Sequence, residues 1–242
     1  MDLRLGQKVL DVATGSGNTA LAAARRFCEV TGVDYVPALL ERGRERATAE
    51  RLEVAFREGG AEELPFPDTS SEVVLSSVRV MFAPDQKKAA GELLRVCRPG
   101  GRSGLANWTP DSFTAEMTPV FARYVPPPPG LESPSRWGGE EHVRELLGDS
   151  IGELQTTRRT LMFRYRSVWH YLAMLQTHLD PTATGLRVVE PGGAGEPGGR
   201  TRGPREPFQP FRRRDDGCPE RLPEGRGRQV LRALRVSGAA VD

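Results

Sequence analysis

Short apolar runs alternate with amphipathic segments along roughly the first hundred residues of the chain. The runs that predict strands, from their β-branched and aliphatic content, are 8–14, 29–34, 54–58, 73–75 continuing towards 82, and 103–108. The segments between them that predict helices are 18–27, 37–52 and 85–97. This alternation predicts an α/β fold with a doubly wound, mainly parallel sheet, in which ligands lie at the carboxyl ends of the strands.

After Trp108 the pattern becomes less regular. We expect a short helix at 140–147, a closing strand pair within 156–167 and a further helix at 168–179. From residue 186 the chain is rich in glycine, proline and arginine with almost no periodic apolar positions, which predicts a disordered tail. The predicted organisation is therefore a core at 1–110, an irregular segment with closing strands of the same domain at 111–185, and the tail at 186–242.

The charge of the chain does not indicate a nucleic-acid-binding protein. The 242 residues carry a formal net charge of only +2. The predicted tail contains twelve arginines, but eight acidic residues interrupt them and few aromatic residues accompany them. Two other interpretations of the tail stay open, namely a disordered basic extension and a terminus translated out of the ancestral reading frame.

Neither a membrane segment nor a metal site is expected from the sequence. No apolar run approaches the roughly 20 residues that span a bilayer, and the first residues lack the apolar core of a signal peptide. We therefore expect a cytoplasmic protein. The three cysteines, Cys28, Cys97 and Cys218, lie far apart without metal-ligand spacing, so no metal is predicted.

The most informative feature is Asp11, a carboxylate within the first predicted strand, four residues before the two-glycine turn of Gly15 and Gly17. Burying an unpaired carboxylate is costly, so either loop amides or a ligand must compensate it. The turn also fits a loose dinucleotide-binding pattern, with Asp34 placed to accept ribose hydroxyls or to act as a turn residue. An anion at Asp11 suits a cationic sulfonium cofactor with a free ammonium group better than it suits a pyrophosphate.

The segment Val-Leu-Asp-Val-Ala-Thr-Gly-Ser-Gly-Asn at 9–18 resembles motif I of the class I S-adenosylmethionine-dependent methyltransferases. Within that class it is similar to the small-molecule branch related to ubiquinone and menaquinone C-methyltransferases, the methyltransferase type 11 domain. Supporting segments at 33–35, 60–68, 73–76 and 94–101 follow in the order of that family, so the resemblance covers about 8–108. It implies a Rossmann-like sheet and the transfer of a methyl group from S-adenosyl-L-methionine to a small-molecule acceptor.

The resemblance also implies which residues form the site. The cofactor-binding positions would be Asp11, Ala13, Thr14, Gly15, Ser16, Gly17, Asp34, Tyr35, Gly60, Ala61, Glu62, Ser76 and Ser77. Residues 13–17 would hold the methionine end, Asp34 the ribose, and Tyr35 and Ala61 the adenine. Near the acceptor we place Arg79, Met81, Phe82 and Trp108, with core packing as the alternative for Met81 and Phe82. Arg79 would recognise an anionic acceptor or face solvent, and 109–137 would cover the acceptor.

The sequence departs from the family pattern at several positions. Gly60 replaces a usual aspartate that accepts from the adenine amino group, Ser71-Glu72 replaces Phe-Asp, and Arg79 replaces a small residue. No predicted helix precedes the first strand. No motif assigns a general base, and His142, His170 and His178 are candidates only because they titrate. These departures keep open a weakly active or inactive binding module and, third, an NAD(P)-binding oxidoreductase.

Overall fold

A computed structural model describes residues 1–123, 126–167, 170–171, 174 and 226–238 of the chain. Contacts divide the chain into two units, one of Met1–Phe163 with Arg228–Asp242 and one of Arg164–Gly227. Few residues of the second unit are described. The elements and the site discussed below belong to the first unit unless stated otherwise.

A seven-stranded sheet forms the centre of the fold. Its strands are β1 (Lys8–Val12), β2 (Glu29–Asp34), β3 (Val54–Glu58), β4 (Ser71–Ser77), β5 (Cys97–Trp108), β6 (Ile151–Arg164) and β7 (Arg226–Gly238). The strand order is β3-β2-β1-β4-β5-β7-β6. The first five strands pair in parallel, and β7 pairs antiparallel with β5. The predicted Rossmann-like, doubly wound and mainly parallel sheet is therefore confirmed.

Helices of the described residues connect and cover these strands. They are α1 (Asn18–Ala24), α2 (Pro37–Ala49), α3 (Gln86–Val96), α4 (Phe113–Ala122) and α5 (Glu140–Leu147). Pro37 begins α2, at a position where its missing N–H costs nothing. Asp85 caps α3 by accepting from the Lys88 amide at 2.9 Å. Short 3₁₀ turns lie at Val80–Phe82, Pro134–Gly138 and Gly148–Ser150.

The two faces of the sheet carry separate parts of the core. Leu10 and Val12 of β1 belong to the cluster that contains α3, α5 and the fully buried Trp137. Val9, the neighbour of Leu10 in β1, belongs to the cluster on the other face, with the alanines of α1. Small side chains on α1 let that helix pack close to the sheet, and this close packing places the start of α1 next to the end of β1.

The tail prediction is wrong for Arg226–Gly238, which forms β7 beside β5. Leu234 and Val236 are 3% and 2% exposed and belong to the core cluster, so these alternating apolar positions stabilise a strand despite the surrounding arginines and glycines. Residues 186–225 lie outside the described part of the chain.

The predicted strand pair at 156–167 is also wrong. The structure has one long strand there, β6, and its neighbour in the sheet is the distant β7. Period-two alternation predicts a strand but does not identify the partner, which here comes from the other end of the chain. Most of the predicted helix at 168–179 lies outside the described residues.

Candidate functional site

The glycine turn joins the carboxyl end of β1 to the start of α1. Ala13, Gly15 and Gly17 all have positive φ, at 53°, 57° and 84°. A Cβ on Gly17 would also lie 3.1 Å from Cζ of Phe56, so both backbone conformation and space favour glycine there. Because β2 and β4 flank β1 in parallel, the turn lies at the sheet edge where ligands bind in folds of this kind.

Asp11 is 1% exposed and fixes the two ends of this turn to each other. Its Oδ2 accepts from the Thr14 hydroxyl at 2.5 Å and from the Ala20 amide at 2.9 Å. Its Oδ1 is buried and has no donor among the described residues. Burial raises the pKa of Asp11 to about 7, although the bonds from Thr14 and Ala20 oppose this shift, and the nearby Asp34 carboxylate adds to it.

Asp34 ties the end of β2 to the same turn. It is 3% exposed, and its Oδ2 accepts from the Gly15 amide at 2.8 Å while its Oδ1 accepts from the Val36 amide at 3.0 Å. Thr14 packs directly on β2, because a Cβ on Gly32 would come within 2.9 Å of the Thr14 side chain. Both acids therefore bond loop amides, and a ribose contact from Asp34 stays a prediction.

Arg46 of α2 supports the turn from behind, a role that the sequence reasoning missed. Its Nη1 donates to the Ser16 carbonyl at 2.8 Å, to the Ser16 hydroxyl at 3.3 Å and to Asn18 Oδ1 at 2.7 Å. The only sequence signal is a basic residue in the last turn of α2, and that is a common way to complement a helix dipole. Nothing local in the sequence connects Arg46 with the turn.

The adenine-side loop after β3 contains Gly60, Ala61 and Glu62. No atom lies within 4 Å of a Cβ built on Gly60, and Ala61 is half-buried against the core. Glu62 Oε1 accepts from the Asp85 amide at 2.5 Å, so its carboxylate is engaged at the start of α3. This bond occupies one of the two Glu62 oxygens and holds the side chain at the start of α3.

A second arginine that the sequence reasoning missed holds this loop in place. Arg95, near the end of α3, donates to the carbonyls of Phe66 at 2.8 Å and Leu64 at 3.1 Å. It also pairs with Asp68 at 2.8 Å and with Glu92 at 2.6 Å. These hydrogen bonds from Arg95 lower the pKa of Glu92. The loop is therefore anchored to α3 through both its backbone and its side chains.

The residues after β4 divide between the core and the site. Ser76 is buried, with its hydroxyl accepting from the Val80 amide at 3.2 Å, and Ser77 is exposed. Met81 is fully buried in the core cluster, as the packing alternative for it expected. Phe82 is 52% exposed, so the same alternative does not describe it.

Two aromatic residues and Arg79 complete the predicted set. Trp108 is buried and packs edge-on against Phe163, with ring centroids 6.1 Å apart. Tyr35 is 63% exposed beside Asp34, which leaves its ring free to lie against a ligand. Arg79 is exposed, but its guanidinium lies against Gly15 rather than away from the turn.

The three candidate histidines lie in different parts of the chain. His142 is buried on α5, where its Nε2 lies 2.8 Å from Gln86 Oε1 of α3. His170 belongs to the second unit, where its Nδ1 accepts from the Arg166 amide at 3.2 Å, and His178 lies outside the described residues. Among the described residues, no group of three or more His, Cys, Asp or Glu side chains is placed to hold a metal ion.

A cleft of about 780 Å³ lies at the opposite end of the sheet from the turn. Its lining includes Lys8, Glu29 and Val54, which begin β1, β2 and β3. None of the predicted site residues lines it. The chemistry-bearing groups therefore converge at the carboxyl edge of the sheet and not in this cleft.

Comparison with known proteins agrees with this geometry. A family model described as a methyltransferase domain matches residues 9–101. An uncharacterized protein of Mycobacterium tuberculosis (strain ATCC 25618 / H37Rv) is 42% identical over 160 residues, 66% of this chain and 58% of that protein. The demethylmenaquinone methyltransferase of Thermus thermophilus is 38% identical over 146 residues, 58% of this chain and 66% of that protein. The chain thus spans about three fifths to two thirds of these relatives.

Solved structures show the same fold. The YcgJ protein of Bacillus subtilis aligns with a TM-score of 0.62 at 20% identity, covering 99% of this chain and 95% of that one. A putative methyltransferase of Bacillus halodurans aligns with a TM-score of 0.60 at 19% identity, covering 98% and 95%. At such identities the likeness concerns the fold alone. With the family match over residues 9–101 and the sequence relatives, it shows that this part of the chain is similar to methyltransferase domains.

Proposed function

We propose that this protein transfers a methyl group from S-adenosylmethionine to a small-molecule acceptor. The observation that carries the proposal is the pair of buried carboxylates, Asp11 and Asp34, bonded to the glycine turn at the carboxyl edge of the sheet. An acid at Asp34 suits the ribose of either kind of cofactor, so Asp11 makes the distinction. A turn that binds a pyrophosphate gains nothing from a second carboxylate at Asp11, whereas a cofactor with a sulfonium and an ammonium group is attracted to it.

The residues present fit such a cofactor. Asp11 Oδ1 is a buried acceptor without a donor among the described residues, and native structures rarely leave such an atom unpaired without a reason. Residues 13–17 present backbone to the groove, Asp34 closes its ribose end, and the exposed ring of Tyr35 offers a surface for the adenine. We assign Asp11, residues 13–17, Asp34 and Tyr35 to cofactor binding, with Ala61 on the adenine side.

The chemistry demands little from side chains. The cofactor supplies an activated methyl group, so the protein mainly aligns the acceptor in line with the bond that breaks. The turn, bonded by Asp11 to the Ala20 amide and by Arg46 to the Ser16 carbonyl, holds the donor side. Phe82, exposed just beyond β4, lines the acceptor side in this proposal. A general base is required only if the acceptor loses a proton.

Isothermal titration calorimetry of the full chain with S-adenosylhomocysteine tests the proposal directly. We expect one site per chain and competition by S-adenosylmethionine. NADH, which addresses the oxidoreductase alternative, should neither bind nor compete. Absence of binding at millimolar S-adenosylhomocysteine, or saturable binding of NADH at the same site, would contradict the proposal.

A binding module without turnover is the second candidate, favoured by the adenine-side loop. Gly60 has no side-chain acceptor for the adenine amino group, and one oxygen of the nearby Glu62 carboxylate is bonded to the Asp85 amide. Cofactor binding without methylation of any quinone-like, phenolic or amine acceptor would support this candidate. The Gly60→Asp substitution distinguishes an adenine side that binds the cofactor weakly from one that does not bind it.

No helix in the described ranges is long and apolar enough to cross a membrane. We propose a cytoplasmic location, in keeping with the supply of the cofactor there, and a small-molecule acceptor rather than nucleic acid. Fluorescence of a tagged chain in cells and titration with double-stranded DNA at physiological salt test these two parts. Peripheral membrane localisation or salt-sensitive DNA binding would contradict them.

A further inference from the structure

The guanidinium of Arg79 lies against the glycine turn, although Arg79 follows β4. An ideal Cβ on Gly15 would be 3.5 Å from Nη2 and 3.6 Å from Cζ of Arg79, which is ordinary van der Waals contact. The guanidinium therefore covers the Cα of Gly15 from the solvent side. This contact depends on β1 and β4 being parallel neighbours that end at the same edge of the sheet.

The backbone around Arg79 is held in an uncommon conformation that directs it towards the turn. Val78 has φ of 58°, a strained value for a β-branched residue. On either side, the Val78 amide donates to the Ala106 carbonyl at 2.7 Å and the Val80 amide donates to the Ser76 hydroxyl at 3.2 Å. These bonds fix the chain before and after Arg79, so its position is set by the fold.

The guanidinium retains its capacity to bind an anion. Arg79 is exposed, and within the described ranges its side chain makes no hydrogen bond or ion pair. By contrast, the side chains of Arg46 and Arg95, two other arginines near the site, donate to backbone carbonyls. A free guanidinium presents planar, paired donors that match a carboxylate in a bidentate geometry.

Charges of both signs lie close to Gly15. Asp11 and Asp34 are buried, and Asp34 accepts from the Gly15 amide, whereas the exposed Arg79 has its guanidinium against Gly15. An amino-acid group carries an ammonium and a carboxylate on one carbon, so it complements an anion and a cation placed near one residue. The methionine end of S-adenosylmethionine is such a group.

We propose that Arg79 binds the carboxylate at the methionine end of S-adenosylmethionine, and that it is a cofactor-binding residue rather than an acceptor-binding one. This inference rests on the proposed function. Arg79 stands where the family pattern has a small residue, and this inference gives it a defined role. It also adds a charged contact at the methionine end of the cofactor, opposite the adenine end that Gly60 weakens.

The test compares two ligands that differ only in the carboxylate, S-adenosylmethionine and decarboxylated S-adenosylmethionine. Their dissociation constants are measured by calorimetry for the wild-type chain, Arg79→Met and the control Arg42→Met, an exposed arginine on α2. We expect Arg79→Met to raise the dissociation constant of S-adenosylmethionine by about tenfold or more, the usual scale of a charge-assisted bond. The dissociation constant of the decarboxylated ligand should change by less than about twofold. Arg42→Met should change neither.

Arg79→Met would overturn the assignment if it weakened the binding of both ligands equally. Tighter binding of S-adenosylmethionine to Arg79→Met would also overturn it, because Arg79 would then obstruct the cofactor site. If the wild-type chain binds neither ligand, the proposed function itself fails and this assignment fails with it. Arg79→Lys serves as a second variant: it keeps the charge but loses the bidentate geometry, and we expect a selective loss between those of the wild type and Arg79→Met.

Discussion

Asp11 joins two properties that usually exclude each other, complete burial and a negative charge. Its Oδ2 is satisfied by Thr14 and Ala20, and its Oδ1 has no donor among the described residues. Burial therefore raises the pKa of Asp11 to about 7 in the folded protein, against an ordinary value near 4. A carboxylate at a position where ionisation is unfavourable is typical of binding sites rather than of residues that stabilise the fold.

The raised pKa of Asp11 gives a pH dependence with a definite sign. The folded state binds this proton more tightly than the unfolded state, so the free energy of unfolding falls as pH rises from about 4 to about 7. The largest slope from one group is about 1.4 kcal/mol per pH unit. Urea unfolding of the wild type and of Asp11→Asn between pH 4.5 and 8 measures how the free energy of unfolding depends on pH. The exposed Asp149→Asn is the control. Parallel curves for wild type and Asp11→Asn would contradict the argument.

Gly60 is a position where one substitution can add a missing acceptor. Its φ is not positive and a Cβ meets no atom within 4 Å, so the backbone accepts a side chain at this position without strain. We expect Gly60→Asp to tighten S-adenosylhomocysteine by about tenfold through the adenine amino group. Gly60→Ala, which adds only the Cβ, should leave the dissociation constant unchanged. Identical constants for Gly60→Asp and Gly60→Ala would favour a module whose adenine side is not used.

At the scale of elements, the turn is held by a helix that is remote in sequence. Arg46 of α2 bonds the Ser16 carbonyl and Asn18, so α2 fixes the start of α1. In the same way, Arg95 of α3 holds the loop that follows β3. Both supports bond backbone carbonyls of the segments that they hold.

Arg46→Met should loosen the turn without unfolding the chain. The loss of bonds to a partly buried carbonyl is expected to lower the free energy of unfolding by about 1–2 kcal/mol. Amide hydrogen exchange of residues 13–18 should accelerate, while exchange in β4 stays unchanged. Arg42→Met on the same helix is the matched control. Unchanged exchange at 13–18 in Arg46→Met would show that the turn does not need this arginine.

For the whole molecule, β7 connects the far end of the chain to the core. Leu234 is 3% exposed and lies opposite Leu105 of β5, within the cluster that contains Trp137 and Val143. The next residue, Arg235, is exposed on the other face. The sheet therefore includes a strand from the last part of the sequence, paired with one more than a hundred residues earlier.

Leu234→Ala should destabilise the protein by about 2–4 kcal/mol, because it removes buried methyl groups and leaves a cavity. The neighbouring Arg235→Ala should stay within about 0.5 kcal/mol of wild type, since its side chain is exposed. Thermal and urea unfolding of the full chain compare the two. Equal small effects from both substitutions would show that β7 does not pack on β5 as described.

Several features of this site were predictable because they are local in the sequence. Asp11 in an apolar run followed by Gly15 and Gly17 predicted a ligand edge, and the structure places the turn there. It is enough to know that the turn follows a strand, since the carboxyl ends of parallel strands meet at the edge where ligands bind. The engaged carboxylate of Glu62 and the inward guanidinium of Arg79 were not predictable, because a side chain chooses between partners only after the elements have packed.

The sequence by itself determined the alternation of strands and helices, the parallel sheet and the turn at its edge, because periodicity and turn chemistry act over neighbouring residues. Only the tertiary structure decided that Arg46 supports the turn, that Arg79 covers Gly15 and that β7 completes the sheet. Each of these is a contact between residues far apart in the chain. Such contacts depend on register and burial, which an apolar pattern leaves open until the whole core is packed.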